Sequence, residues 1–397
     1  MDPTSLFGSP NPLAGHYGRF AVADRLLLTG HSHQAWPDVG YEAQVAAWTD
    51  AARYVDDKWD RAFAEAERVR AGFGRLLGDA GGGIALGVNT HELIVRLLSA
   101  LPLRSRPRLV TTDGEFHTIR RQLDRLSEEG LTVIRVQETP LASVAERLAA
   151  AVDDRTAMVL VSAVFFDTAR IARGLGKVAE RCRRHGASLL VDAYHALNVV
   201  PLSLDDEGLS DAFVVGGGYK YCQLGEGNCF LRLPRDTALR PVVTGWFSEF
   251  TALADAERPD RVTYGQGPDR FAGATYDPTS HYRAAAVFDF FRNQGLAAAD
   301  LRVVSQHQVG LLATAFDDLD LDPAVITRDR SAGIEELAGF LALRSPIAGD
   351  LVRRLRARGM LTDARGDVLR LGPAPYLSDR QLQDAIAHLG EAARADA

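Results

Sequence analysis

Three cysteines in 397 residues (Cys182, Cys222 and Cys229) are too few for a disulfide framework, and no two of them form a C-x-x-C pair. Long apolar runs are missing too. Nothing approaches the ~20 residues that cross a bilayer, which excludes a membrane-spanning role. A basic excess is absent: 45 Lys and Arg face 52 Asp and Glu, for a net charge of −7. Sequence-independent nucleic-acid binding needs a phosphate-neutralising surface and is excluded on that ground. The opening MDPTSLFGSPNP has neither a basic n-region nor an apolar h-region, so a cytoplasmic location is expected. There is no internal repeat or low-complexity tract. The nucleotide loop GxxxxGK[ST] is also absent, since Lys220 precedes Tyr221 and the GLGK of 174–177 precedes Val178. What remains is a globular composition, 46% hydrophobic and 24% charged. At roughly 100–200 residues per domain, the length predicts two domains.

Along the chain, short apolar runs alternate with helical periodicity. Residues 59–77 read as a helix through Trp59, Phe63, Ala66, Phe73 and Leu77. Strands are expected at 84–86, 108–112, 131–136, 157–161, 188–191 and 212–215. Helices are expected between them at 91–101, 118–129, 142–152 and 176–185. This pattern predicts an α/β domain with a mostly parallel sheet covered on both faces. Residues 241–278 are loop-rich. Helices at 280–293 and 300–316 follow, then strand 339–343, helix 348–358, strand 368–371 and helix 379–392. The expected division is an N-terminal arm over 1–50 that joins the small domain, a large domain over 51–285, and a small α+β domain over 286–397.

Two residues carry chemistry. Ser188-Leu189-Leu190-Val191-Asp192 ends a buried strand in a carboxylate, where open α/β sheets bind ligands. Gly216-Gly217-Gly218-Tyr219-Lys220 then places a lysine at the end of another strand. A lysine for an aldehyde and a carboxylate for a pyridine nitrogen are what pyridoxal phosphate (PLP) requires. Each also has a plainer reading, Asp192 as a helix cap and Lys220 as a solvated loop residue. Asn89 and Thr90, at the start of a helix, fit a phosphate site or an ordinary cap. Phe116 offers a flat partner for the ring, with His117 as its rival. His195 lies three residues after Asp192, within reach of the cofactor. His31 and His33 supply two imidazoles without a third ligand, short of a metal site.

With these residues in place, the chain resembles the kynureninase branch of the class V aminotransferase group, PLP enzymes of fold type I. Asp192-Ala193-Tyr194-His195-Ala196 is similar to the group's D-x-x-H-A, and Gly218-Tyr219-Lys220-Tyr221 to its S-Y-K-Y. Gly245-Trp246-Phe247 resembles G-W-F, and Arg370-Leu371-Gly372-Pro373-Ala374-Pro375-Tyr376 resembles R-V-A-P-V-P-L-Y. Gly273-Ala274-Thr275 is similar to G-G-T. The family's G-N-S-L-G is replaced by Gly30-His31-Ser32-His33-Gln34. The resemblance implies a PLP-dependent transferase fold type I: a seven-stranded-type sheet flanked by helices, plus the small C-terminal domain.

It also implies the cofactor PLP, held by Asn89, Thr90, Phe116, Asp192, His195, Tyr219, Lys220, Trp246 and Thr275. Lys220, Asp192 and Tyr219 are the implied catalytic residues. Arg370 is implied to grip the substrate α-carboxylate, with His31, Ser32 and Trp246 beside the substrate. A homodimer with shared sites is expected, Thr275 reaching the phosphate of the other subunit. The expected reaction is hydrolytic cleavage of the Cβ–Cγ bond of L-kynurenine, or a substituted kynurenine, to an anthranilate and L-alanine, as in tryptophan catabolism. The alternative is β-elimination, β-substitution or aminotransfer on another amino acid in specialised metabolism. A third reading is a non-enzymatic protein of the same fold, against which intact Lys220, Asp192 and Arg370 argue. A desulfurase is disfavoured, because no cysteine follows Cys229 to act as its mobile nucleophile.

Overall fold

A computed structural model describes residues 1–79, 83–252 and 261–394. The expected loop-rich stretch is therefore described apart from 253–260, which lie outside the described residues. The N-terminal arm contains short 3-10 turns and the strand β1 (Leu26–Leu27). Helices α1 (Val39–Tyr54) and α2 (Lys58–Leu76) follow, then β2 (Gly83–Gly87), α3 (Thr90–Ser99), β3 (Arg108–Thr112) and α4 (His117–Glu128). Next come β4 (Thr132–Val136), α5 (Val144–Ala150), β5 (Thr156–Ser162), α6 (Leu175–Arg184), β6 (Ser188–Asp192), β7 (Phe213–Gly217) and β8 (Cys229–Leu233). The C-terminal part holds α7 (Thr279–Asn293), α8 (Ala298–Asp318), β9 (Thr327–Arg328), β10 (Leu341–Arg344) and α9 (Ala348–Ala357). It ends with β11 (Met360–Leu361), β12 (Asp363–Arg365), β13 (Val368–Leu371) and α10 (Asp379–Arg394).

The large sheet runs β2-β8-β7-β6-β5-β3-β4, with β8 antiparallel to both neighbours and the other pairs parallel. Its central strands are buried on both faces, which is why they read as continuous apolar runs. Val159, Val161, Leu189 and Val191 face one core with Phe73, Leu148 and Val178 of α2, α5 and α6. Met158, Leu160 and Leu190 face another core, with Leu93 and Leu97 of α3 and Ile119 and Leu123 of α4. Each such side chain stabilises the fold by roughly 1.5–3 kcal/mol. The strand β8 went unpredicted because Arg232 interrupts its pattern. That arginine is 2% exposed, donates from Nε to Asp79 at 2.6 Å, and from Nη1 to the Ser210 and Ala212 carbonyls.

The small sheet, β12-β13-β10-β9, is antiparallel. A two-residue turn at Gly366-Asp367 joins β12 to β13, with Gly366 at φ +57°, a conformation that suits glycine. That turn sets the register that places Asp363 opposite Arg370. The N-terminal arm joins this unit: β1 pairs in parallel with β11, and Thr29 bridges to Gly372. No helix among the described residues is long and apolar enough to cross a membrane.

Candidate active site

A cavity of about 370 Å³ opens at the carboxyl ends of β5 and β6 and beyond the end of β7. Asn89, Thr90, Phe116, Asp192, His195, Tyr219 and Lys220 all line it, joined by Ser162, Tyr194, Glu226 and Cys229. Seven of the residues singled out in the sequence thus meet around one space.

Lys220 dominates the cavity. The chain has three lysines, and Lys220 is the one buried, 6% exposed, whereas Lys177 sits on the surface paired with Glu146 and Lys58 is half-buried. Its Nζ lies 2.6 Å from His195 Nε2 and 4.8 Å from the centre of the Tyr194 ring. Burial lowers its pKa, with Arg370 adding to the effect and Asp192 opposing it. Burial also lowers the His195 pKa, so that ring is neutral. Its Nδ1 is buried and has no partner among the described residues. The glycines ahead of Lys220 are not a flexible loop. Gly217 lies within β7, and a Cβ there would come within 2.4 Å of the Tyr194 hydroxyl.

Asp192 is 8% exposed. Its Oδ1 accepts from the Tyr194 backbone N–H at 2.9 Å, and its second oxygen has no hydrogen-bond partner among the described residues. Burial raises its pKa. Asn89 caps α3, its Oδ1 accepting from Glu92 N at 2.9 Å, so the N-terminus of that helix points its free N–H groups at the cavity. The cap and the site are the same residue. Phe116 faces the cavity, with its ring centre 5.3 Å from Lys220 Nζ. His117 does not line it and packs instead against Phe116 and Phe166. Tyr219 carries the imidazole of His33 stacked on it at 4.7 Å and 18°. Burial raises the Tyr219 pKa and keeps its phenol protonated. At the mouth, Glu226 lies 3.5 Å from His33.

Five expected site residues lie elsewhere. Trp246 is 45% exposed and packs on Phe247 and Phe250. Thr275 lines a second cavity, about 530 Å³, together with Phe247 and Phe250. Ser32 is half-buried, its Oγ 3.2 Å from His33 Nδ1. His31 is wholly buried and lines neither cavity, with its Nε2 2.7 Å from Asp363 Oδ1. Arg370 is buried, 3% exposed, and lines neither cavity. Its Nε donates to Asp363 Oδ1 at 3.0 Å, its Nη2 to Asp363 Oδ2 at 2.5 Å and its Nη1 to the Phe166 carbonyl at 2.7 Å.

Sequence reasoning missed Glu115 and Asp363. Glu115 is 2% exposed; it accepts from Thr112 Oγ1 at 2.6 Å and from Ser162 N at 3.2 Å, and its Oε2 meets Ser162 Oγ at 2.6 Å. Burial pushes its pKa up to about 7, with the nearby Asp192 charge adding. No local signal marks it. Asp363 was legible in principle, because the Gly-Asp turn fixes which residue faces Arg370.

Chemically, the cavity combines a buried amine, a buried carboxylate short of a partner, a flat aromatic wall and a helix N-terminus. The fold that carries it is that of the PLP-dependent enzymes of fold type I. A cystine C–S lyase, C-DES, whose structure has glycine covalently linked to its PLP cofactor, superposes with a TM-score of 0.82 at 15% identity, covering 96% of this chain and 99% of that one. The cysteine desulfurase CsdA of Escherichia coli superposes at 0.77 and 15% identity, covering 99% and 98%.

In sequence, the chain is similar to kynureninase of Xanthomonas oryzae pv. oryzae, 26% identical over 398 residues, or 94% of this chain and 87% of that protein. An uncharacterized aminotransferase of Bacillus subtilis, YcbU, is 23% identical over 344 residues, 86% and 88% of the two chains. No family model matches the chain. The kynureninase-like resemblance read from the motifs is thus met again, at low identity, over nearly the full length.

Proposed function

We propose that this chain is a PLP-dependent hydrolase of the kynureninase type, which cleaves L-kynurenine or a substituted kynurenine with water to an anthranilate and L-alanine. The observation that carries the reading is the buried Lys220 amine, facing His195 and the under-bonded Asp192 in one cavity. The donor set fits the cofactor. Lys220 offers the amine for its aldehyde, and Asp192 an acceptor for its ring nitrogen. Phe116 supplies the stacking face, and Asn89 and Thr90 with the α3 N-terminus take its phosphate. When bound, PLP supplies an electron sink that stabilises a carbanion on the substrate.

The chain's own residues do the rest. Lys220, its charge disfavoured by burial, accepts the α-proton at Nζ. The neutral His195 holds that nitrogen in place. Tyr219, kept protonated, donates a proton at its phenol oxygen. Arg370 binds the α-carboxylate through a planar guanidinium. Trp246 and Thr275 complete the site of a second copy in a homodimer. The exposed apolar surface of Val242, Trp246 and Phe250 beside them supports this pairing. The arm over 1–50 and residues 286–397 form the small domain, and 51–285 the large one.

The test is to load the purified protein with PLP and supply L-kynurenine and 3-hydroxykynurenine. Release of the matching anthranilate and of alanine is expected, and no release overturns the substrate assignment. One observation favours a second reading, an elimination or aminotransfer on another amino acid. His31 stands where the kynureninase-like pattern has an amide, and it is bound to Asp363 rather than open to the cavity. Pyruvate, sulfide or a new amino acid from a substrate screen identifies that case.

A further inference from the structure

Arg370 is 3% exposed, and a guanidinium so buried needs a partner. Asp363 provides it from the facing strand, as the direct cross-strand neighbour of Arg370. The bond is side-on, with Nε and Nη2 each meeting one carboxylate oxygen. Nη1 donates to the Phe166 carbonyl. A guanidinium has five N–H bonds. Three are engaged here, which leaves one on each Nη.

Asp363 is fixed in turn by His31, whose Nε2 lies 2.7 Å from the Oδ1 that also receives Arg370 Nε. Burial pushes the His31 pKa down to about 4, so the ring is neutral and Nε2–H donates to the carboxylate. Burial works against the charge of Asp363. The bonds from His31 and Arg370 outweigh it and hold the carboxyl below its usual range. The other His31 nitrogen, Nδ1, has no partner among the described residues and faces Gly372, where a Cβ would sit 2.2 Å from it. Three chain segments, 29–31, 361–363 and 370–372, are thereby locked together.

We propose that Asp363, backed by His31, is the positioning residue that orients Arg370, so that its two remaining N–H bonds are presented together to the carboxylate of an amino-acid substrate. Asp363 itself stays clear of the substrate. It takes the side of the guanidinium and leaves the end. A carboxylate that binds both remaining N–H bonds gains the geometric selectivity of a two-pronged contact. An amine lacking a carboxylate gains nothing from it. The proposal rests on the reading of Arg370 as the carboxylate clamp.

The experiment titrates the PLP-loaded protein with L-alanine and with methylamine, following the visible absorption band, with thermal midpoints recorded alongside. Asp363→Asn is expected to weaken the L-alanine response about tenfold or more, and to leave methylamine within about twofold, because only the oriented charged contact is lost. His31→Phe, which keeps a ring in the buried space, is expected to lose about three- to tenfold of the same discrimination, the worth of one hydrogen bond. It serves as the second test if Asp363→Asn does not fold. Equal weakening of both amines marks a purely structural role and overturns the proposal. So does tighter L-alanine binding by Asp363→Asn, which would make Asp363 a competitor for Arg370. If the wild-type protein develops no band with PLP, the cofactor reading itself fails, and the proposal with it.

Discussion

The Lys220 cavity and the Arg370 corner are both buried and charged, yet their carboxylates, Asp192 and Asp363, are bonded in opposite ways. Around Lys220, bonding capacity is left over among the described residues: His195 Nδ1 is buried without a partner, and Asp192, which lines the cavity, has one oxygen without a hydrogen bond. Around Arg370 the carboxylate is filled, receiving Nε, Nη2 and the His31 ring. Unmet hydrogen-bonding capacity in a buried place is costly, so it persists where a ligand meets it. A saturated pair serves to hold a shape. Asp192 keeps an oxygen free for chemistry, whereas Asp363 is a fixture, and what it fixes is an arginine with two N–H bonds still free.

The sharpest way to break this contrast is to remove the central amine. Lys220→Ala is expected to lose at least ~10³-fold of activity with any substrate, in keeping with the loss of an essential base, while remaining folded. An assay beside thermal denaturation checks both halves. Arg370→Gln strikes the other region. It strands the Asp363 charge beside a neutral His31 and is expected to lower folding stability by roughly 3 kcal/mol, measured by denaturant unfolding.

Glu115 gives a pH-dependent test. Its pKa in the folded protein, about 7, lies above the ordinary 4.5, so the folded state binds a proton that the unfolded state has released. Its contribution is therefore fully present below the ordinary value and is lost as pH rises through that window. Glu115→Gln removes this loss. Its stability relative to the wild type should climb by roughly 2–3 kcal/mol between those two pH values and then level off. A difference that stays flat with pH contradicts the buried, protonated carboxyl. The smallest effect is expected from Asp192→Asn without cofactor. Removing an under-bonded buried charge should leave the melting temperature unchanged or raise stability by about 1 kcal/mol, even as activity collapses.

The same contrast explains what the sequence made legible. The strands Thr156–Ser162 and Ser188–Asp192 announced themselves because burial on both faces leaves no polar interruption. Their ends delivered Asp192, and the neighbouring strand delivered Lys220, so the cavity could be assembled from motifs. The strand Cys229–Leu233 was hidden by Arg232, whose burial depends on Asp79 from a distant segment. Asp363 sits in a three-residue strand with no apolar pattern, and its importance lies in a cross-strand register. Glu115 sits in the turn after Arg108–Thr112, where no periodicity reports burial. The motif pattern puts His31 at the substrate end, but the close approach of Gly372 and the Thr29–Gly372 bridge seat it against Asp363.

The central claim is that Lys220 carries the cofactor. With three lysines in the chain, it can be tested without ambiguity. The PLP-loaded protein is reduced with borohydride, digested and mapped by mass spectrometry. A single pyridoxyl-phosphate adduct is expected, on the peptide containing Lys220. An adduct on Lys58 or Lys177, or none at all, contradicts it.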